Sequence, residues 1–213
     1  MKKIILVLIL AALVSNISFA QSSKSDTRKS FQFGLKVGSN FSNVYDTKDN
    51  TFKSDIKMGL AAGAFLTLPI GSFFGIQPEI LYSEKGYKST GTTLGNAYTL
   101  TRTSSFIDVP IFLAIKPVKF LSILVGPQYS YLLKERNVFS NSLMTVVQEQ
   151  EFNNTNVRKN ILCLVGGVDL NFDRVVIGAR GGWDMQNNKG DGTSTTPQYK
   201  NAWAQISLGF RVL

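Results

Sequence analysis

Hydrophobic and polar residues alternate with a period of two over long stretches of this chain, and the stretches are joined by connections that run long, short, long, short. In one stretch Ile56, Met58, Leu60, Ala62, Ala64, Leu66 and Leu68 share a face, opposite Lys57, Gly59, Ala61, Gly63, Phe65 and Thr67. Near the C-terminus Ala202, Ala204, Ile206, Leu208, Phe210 and Val212 alternate with Trp203, Gln205, Ser207, Gly209 and Arg211, and near the start Phe31, Phe33, Leu35, Val37 and Phe41 alternate with Gln32, Gly34, Lys36, Gly38 and Asn40. Period two sustained over about ten residues predicts strands long enough to cross a bilayer when tilted. Five more strands are expected at 73–85, 102–116, 120–133, 158–170 and 174–184. Long connections fall near 44–55, 86–101, 134–157 and 185–198, and short ones at 69–72, 117–119 and 171–173. The pattern predicts an all-β fold, an eight-stranded antiparallel up-and-down transmembrane β-barrel with tight periplasmic turns and longer outer loops. Pro78, Pro110 and Pro127 fall inside three of the strands. Each removes a ladder donor, so local bulges are expected there.

Alternation alone suits a soluble barrel as well, and the other face decides between the two. In these strands it is rich in glycine and small polar groups with a few bulky or charged residues, as a narrow interior filled by side chains requires. A soluble barrel would carry abundant Lys and Glu on its outward face, which the strands lack. The aromatic residues point the same way. The tyrosines (Tyr45, Tyr82, Tyr87, Tyr98, Tyr129, Tyr131 and Tyr199), with Trp183 and Trp203, lie towards the long connections. Phe31, Phe33, Phe73, Phe74, Phe120, Phe172 and Phe210 lie towards the short turns, so two interfacial girdles are expected.

The first twenty residues change the picture of where the chain goes. Lys2 and Lys3, an apolar segment over 4–14 and Ser18-Phe19-Ala20 read as a signal peptide cleaved before Gln21. Residues 21–30, rich in Ser, Lys, Asp and Arg, are expected to be a disordered periplasmic tail, free or tucked under the barrel, with the barrel domain over 31–213. No apolar run of ~18 residues follows Ala20, so spanning would require a closed barrel. The formal charge is +9, and Lys2 and Lys3 leave with the signal, giving 9 − 2 = +7. That surplus is scattered over the tail (Lys24, Arg28, Lys29) and the strands (Lys57, Lys116, Arg174 among them). A nucleic-acid binder would gather it on one accessible face, so no nucleic acid is expected as a partner.

Composition narrows the chemistry. The chain has no histidine, which removes the commonest general base and zinc ligand together with Ser-His and Cys-His arrangements. No G-x-S-x-G, Walker A or G-x-G-x-x-G pattern appears. Cys163, the single cysteine, lies in an apolar run and reads as a small buried group. Asp46, Lys48 and Asp49 are too sparse for a calcium loop. No catalytic residue, cofactor or metal is expected. By strand parity Lys36, Glu79, Asp108, Asp169, Arg180 and Arg211 all point inward. Paired carboxylates can do acid–base work, but buried charges need partners, so these six are read as one structural interior ion-pair network.

The third long loop is the candidate contact for a partner. It carries Phe139, Leu143, Met144, Val146, Val147 and Phe152 in a segment expected outside the membrane. Either the flanking strands continue past the bilayer as a hairpin turning near Asn141-Ser142, or these residues dock another envelope protein.

The segment Phe33-Gly34-Leu35-Lys36-Val37-Gly38-Ser39-Asn40-Phe41-Ser42 resembles the opening strand of the PorT-like outer-membrane β-barrel family. Phe106-Ile107-Asp108-Val109-Pro110-Ile111 and Val125-Gly126-Pro127-Gln128-Tyr129 look like strands of the same family. The chain departs from the usual aromatic ending, since Arg211-Val212-Leu213 follow Phe210. The resemblance implies an outer-membrane protein of a Gram-negative-type cell, surrounded by lipid and handled by the barrel-insertion machinery during assembly. Some relatives serve protein secretion, and membership does not itself settle function. The expected role is that of a non-enzymatic accessory, assembly or structural component of an envelope complex with an outer-membrane or periplasmic protein partner. The alternatives are a loop-based adhesin or ligand binder and a narrow pore for small solutes.

Overall fold

The computed structural model describes residues 26–45, 54–93, 96–141, 144–151, 158–188 and 199–213. The expected signal peptide, residues 21–25 and the tips of the longest loops lie outside them. The strands are β1 (Gln32–Tyr45), β2 (Asp55–Ile70), β3 (Phe74–Thr93), β4 (Asn96–Val118), β5 (Leu121–Asn141), β6 (Thr145–Glu151), β7 (Asn160–Phe172), β8 (Val175–Asp184) and β9 (Lys200–Arg211). Among the described residues no helix is long and apolar enough to cross a membrane.

All pairings are antiparallel, and β1 pairs with both β2 and β9, which closes a ring in the order β1-β2-β3-β4-β5-β7-β8-β9. Eight strands therefore form the ring, as the alternation predicts. The ninth, β6, is not a ring member. One flank of β5 pairs with β7 over Leu121–Tyr131 and then with β6 over Lys134–Ser140.

The apolar face points outward. Leu35, Val37, Met58, Ile206 and Leu208 are exposed, whereas Phe65 and Phe112 are 3% and 1% exposed inside the ring. The short turns are tight: Gly71 adopts φ 74° between β2 and β3, and Asp173 adopts φ 48° between β7 and β8. The left-handed region suits glycine and is tolerated by aspartate.

Four expectations need correction. First, the predicted loop at 86–101 is largely strand, since β3 and β4 pair out to Thr93↔Asn96; of the two readings of the third long connection, the hairpin is what forms, with β5 and β6 pairing out to Ser140↔Thr145. The Thr- and Ser-rich sequence of 86–101 favours extended backbone without alternating in hydrophobicity, so only its β-propensity betrays it. These segments rise above the ring as a four-stranded sheet, β3-β4-β5-β6.

Second, the prolines do not sit at bulges. Register passes unchanged across Pro78, Pro110 and Pro127, and shifts instead between Ile56 and Ala61, Ser105 and Phe106, and Ile115 and Val118. The fixed φ of proline lies within extended space, so the ladder loses a hydrogen bond without losing its frame.

Third, Tyr87, Tyr199 and Trp203 point inward, while Tyr45, Tyr129, Tyr131 and Trp183 are exposed on the outer wall near the long-loop end. Fourth, residues 26–30 are ordered. Thr27–Lys29 form a 3-10 turn capped by Asp26, and the Gln32 amide donates to the Thr27 carbonyl at 2.7 Å. The polar residues that suggest disorder find acceptors at the short-turn mouth.

The slip between β2 and β3 is held by Ser42 of β1. Its hydroxyl accepts from the Gly86 amide at 2.9 Å and lies 3.0 Å from the Gly86 carbonyl oxygen. Gly86 has φ 148°, and a Cβ there would lie 2.0 Å from the Arg102 carbonyl oxygen. Gly86→Ala is expected to cost about 1–3 kcal/mol from the strained backbone, more with the clash. A urea titration of the folded barrel reads this out, and an unchanged midpoint contradicts it.

Candidate functional site

Period two fixes which side chains enter the barrel. Lys36 of β1, Gln77 and Glu79 of β3, Asp169 of β7 and Arg180 of β8 all lie on inward positions towards the short-turn half. There they meet. Lys36 Nζ lies 2.8 Å from Glu79 Oε1, Arg180 Nη1 lies 2.5 Å from Glu79 Oε2, and Arg180 Nη2 lies 3.2 Å from Asp169 Oδ2. The Gln77 amide donates to Glu79 at 2.9 Å and to Asp169 at 3.1 Å, while Thr67 donates to Gln77 at 3.2 Å. Lys36 is 6% exposed, Glu79 4% and Arg180 5%. Two aromatic rings cover the cations, with Lys36 Nζ 5.2 Å from the Phe65 centroid and the Arg180 guanidinium 4.8 Å from that of Phe112.

Two of the six residues assigned to one network lie elsewhere. Asp108 is further towards the long-loop end, 2.9 Å from Lys85 Nζ. Arg211 is at the short-turn mouth, donating to the Asp173 carbonyl at 2.8 Å and to the Asn171 side chain. Parity gives the face but not the height along the barrel, and strand tilt separates residues that share a face.

Lys85 anchors a second group. Its ammonium lies 4.9 Å from the Phe106 centroid and 5.0 Å from that of Trp203. Beside it the Cys163 thiol donates to Asp184 at 3.1 Å, and the Asn201 amide donates to the same carboxylate at 2.5 Å. The thiol is fully enclosed, as the apolar run around it suggests. A third group lies nearer the long-loop end, with Arg102 2.6 Å from Glu135 and its guanidinium 5.7 Å from the Tyr199 centroid. Sequence reasoning missed Lys85, Gln77, Arg102 and Glu135. Lys85 shares the parity of Glu79 and was legible. Arg102 and Glu135 were assigned to a strand end and a loop.

Among the loop residues, Phe139 stacks on Tyr98 with centroids 5.3 Å apart, and Met144, Val146 and Val147 are about half exposed. Leu143 and Phe152 lie outside the described residues.

Residues 19–196 match the model of the outer membrane protein beta-barrel domain family. The chain belongs to that family. Its ring therefore sits in the outer membrane, with the apolar wall in lipid and the short turns on the periplasmic side. No curated protein sequence matches the chain. Among solved structures it is similar to Ail, the attachment invasion locus protein of Yersinia pestis, at 14% identity and TM-score 0.46, covering 84% of this chain and 97% of that one. It is also similar to Neisserial surface protein A, at 10% identity and TM-score 0.45, covering 84% of this chain and 96% of that one. The outer membrane protease OmpT from Escherichia coli is 8% identical with TM-score 0.46, covering 89% of this chain and 99% of that one. Likenesses of this grade carry no reading of function.

Arg180 touches both buried carboxylates. Arg180→Ala leaves Asp169 without its cation and Glu79 with one of two, and is expected to cost about 3–5 kcal/mol. Urea titration of wild type and variant in the same detergent measures it, and equal midpoints remove the cluster from the account of stability.

Proposed function

We propose that the chain is a non-enzymatic accessory or structural component of an outer-membrane complex, and that it docks its partner protein on the sheet raised above the ring. The observation that carries this reading is the hairpin β5–β6. It places Val146, in register with Phe139, on one face of a sheet beyond the membrane band and Val147, in register with Val138, on the other, both about half exposed, and exposed apolar residues there favour an interaction site. Among the described residues β6 pairs only with β5, so its outer edge offers backbone groups to a further strand. The resemblance of 33–42 and 106–111 to PorT-like strands favours a partner in protein secretion.

The interior supports a non-catalytic role. Glu79 and Asp169, the carboxylates close enough to share a site, are each held by a cation instead of being poised to exchange a proton. Phe65, Phe112 and the charged cluster occupy the lumen where a pore would need open space.

Mild crosslinking in intact cells tests the docking reading, with wild type compared against a variant deleted for 139–151. A near-stoichiometric envelope partner is expected with wild type and is expected to be lost on deletion. A partner retained by the deletion variant excludes this sheet as the contact, and recovery of wild type as a lone barrel excludes the accessory role.

A further inference from the structure

The periplasmic mouth holds cations that the interior does not neutralise. A shallow recess open to solvent, whose enclosed part of about 10 Å3 admits one water-sized group, is lined there by Arg28, Lys116, Lys119 and Arg211, with Asp169 as its one carboxylate. Asp169 is already engaged by Arg180. Asp26 lies nearby but is paired with Arg28 at 2.6 Å, and the hydrogen bond from Arg28 holds its carboxyl down to about 2, so it stays charged and committed.

Lys116 is the most telling of the four. It is 4% exposed, yet its ammonium forms no ion pair among the described residues and donates only to the Arg28 carbonyl, at 3.4 Å. The ammonium lies over Gly75, where a Cβ would come within 3.3 Å of Nζ. Arg211 likewise meets no carboxylate. Its guanidinium is satisfied by the Asp173 carbonyl and the Asn171 amide oxygen, and its buried Nε has no acceptor. The cations of the three interior groups each face a carboxylate at 3.2 Å or less, while Lys57, buried on β2, donates to the Met58 carbonyl at 3.2 Å. A buried cation left unpaired is costly, so the mouth calls for an anion from outside the chain.

We infer that the open mouth of this recess binds a phosphate group, one oxygen entering towards Lys116 and Arg211, with Arg28 and Lys119 at its rim. The Ser122 hydroxyl, which accepts from the Asn171 amide at 3.0 Å and keeps its own proton, also lines it, so a tetrahedral anion finds a neutral donor beside the cations. The recess opens at the short-turn mouth, the periplasmic end of the barrel. The phosphate is therefore either free in the periplasm or carried by a lipid headgroup.

The test uses the full chain folded in a phosphate-free maltoside detergent, with melting temperature as the readout. Inorganic phosphate and short-chain phosphatidic acid are added separately, against sodium chloride at equal ionic strength. Lys116→Gln and the charge-keeping Lys116→Arg are compared with wild type. A rise of a few degrees is expected in wild type and in Lys116→Arg, and none in Lys116→Gln. A response to inorganic phosphate assigns the free anion, and a response to phosphatidic acid alone assigns the headgroup. No response to either, or an equal response in Lys116→Gln, overturns the site.

Discussion

Charge neutralisation inside a narrow barrel is the constraint on which the rest of this structure depends. A ring of eight strands is too small to hold bulk water around its side chains, and its outer wall is given over to lipid. The charged groups of the lower lumen on β1, β3, β7 and β8 therefore turn inward and find their counter-charges there. Glu79 does so by taking Lys36 on one oxygen and Arg180 on the other, and Arg180 carries the link on to Asp169. Four strands are tied together across the lumen by three ion pairs. Phe65 and Phe112 lie over the two cations, so the same cluster that neutralises the interior also fills it.

That constraint has a direction along the axis. The buried ion pairs Lys85–Asp108 and Arg102–Glu135 repeat the solution towards the long-loop end, each beside aromatic rings. Between and around these ion pairs the lumen is filled by apolar packing of Phe106, Phe112, Leu124, Cys163 and Val165. One end raises a four-stranded sheet above the ring, and the other gathers cations around a small recess under the 3-10 turn.

Much of the ring was legible in the sequence, for reasons that particular residues make clear. Ile206 and Leu208 alternate with Gln205 and Ser207, and lipid on one side with a filled lumen on the other leaves no second way to place that pattern. Residues 86–93 were not legible, because polar residues occupy both faces of that strand (Lys88 and Thr90 exposed, Ser89 buried), whereas the hairpin through 134–141 was legible as one of two readings. Lys36, Glu79 and Arg180 were readable as inward-facing. Their meeting, and the separation of Asp108 and Arg211 from them, depends on register and tilt, which hydrophobic pattern does not encode. The ordered turn at 27–29 escaped for a related reason. Its polar sequence resembles a free tail until the mouth of the barrel supplies its hydrogen-bond partners.

The central claim is that the buried charges of the lower lumen stabilise the barrel as a coupled set. A double-mutant cycle on Glu79→Gln and Arg180→Gln, followed by urea unfolding in one detergent, tests it most directly. The account predicts that the double variant loses less than the two single losses combined, by about 1–3 kcal/mol, because removing both charges leaves Lys36 with Asp169 and no unpaired excess. Additive losses would contradict it, and would mean that the two side chains act as independent fillers of the lumen.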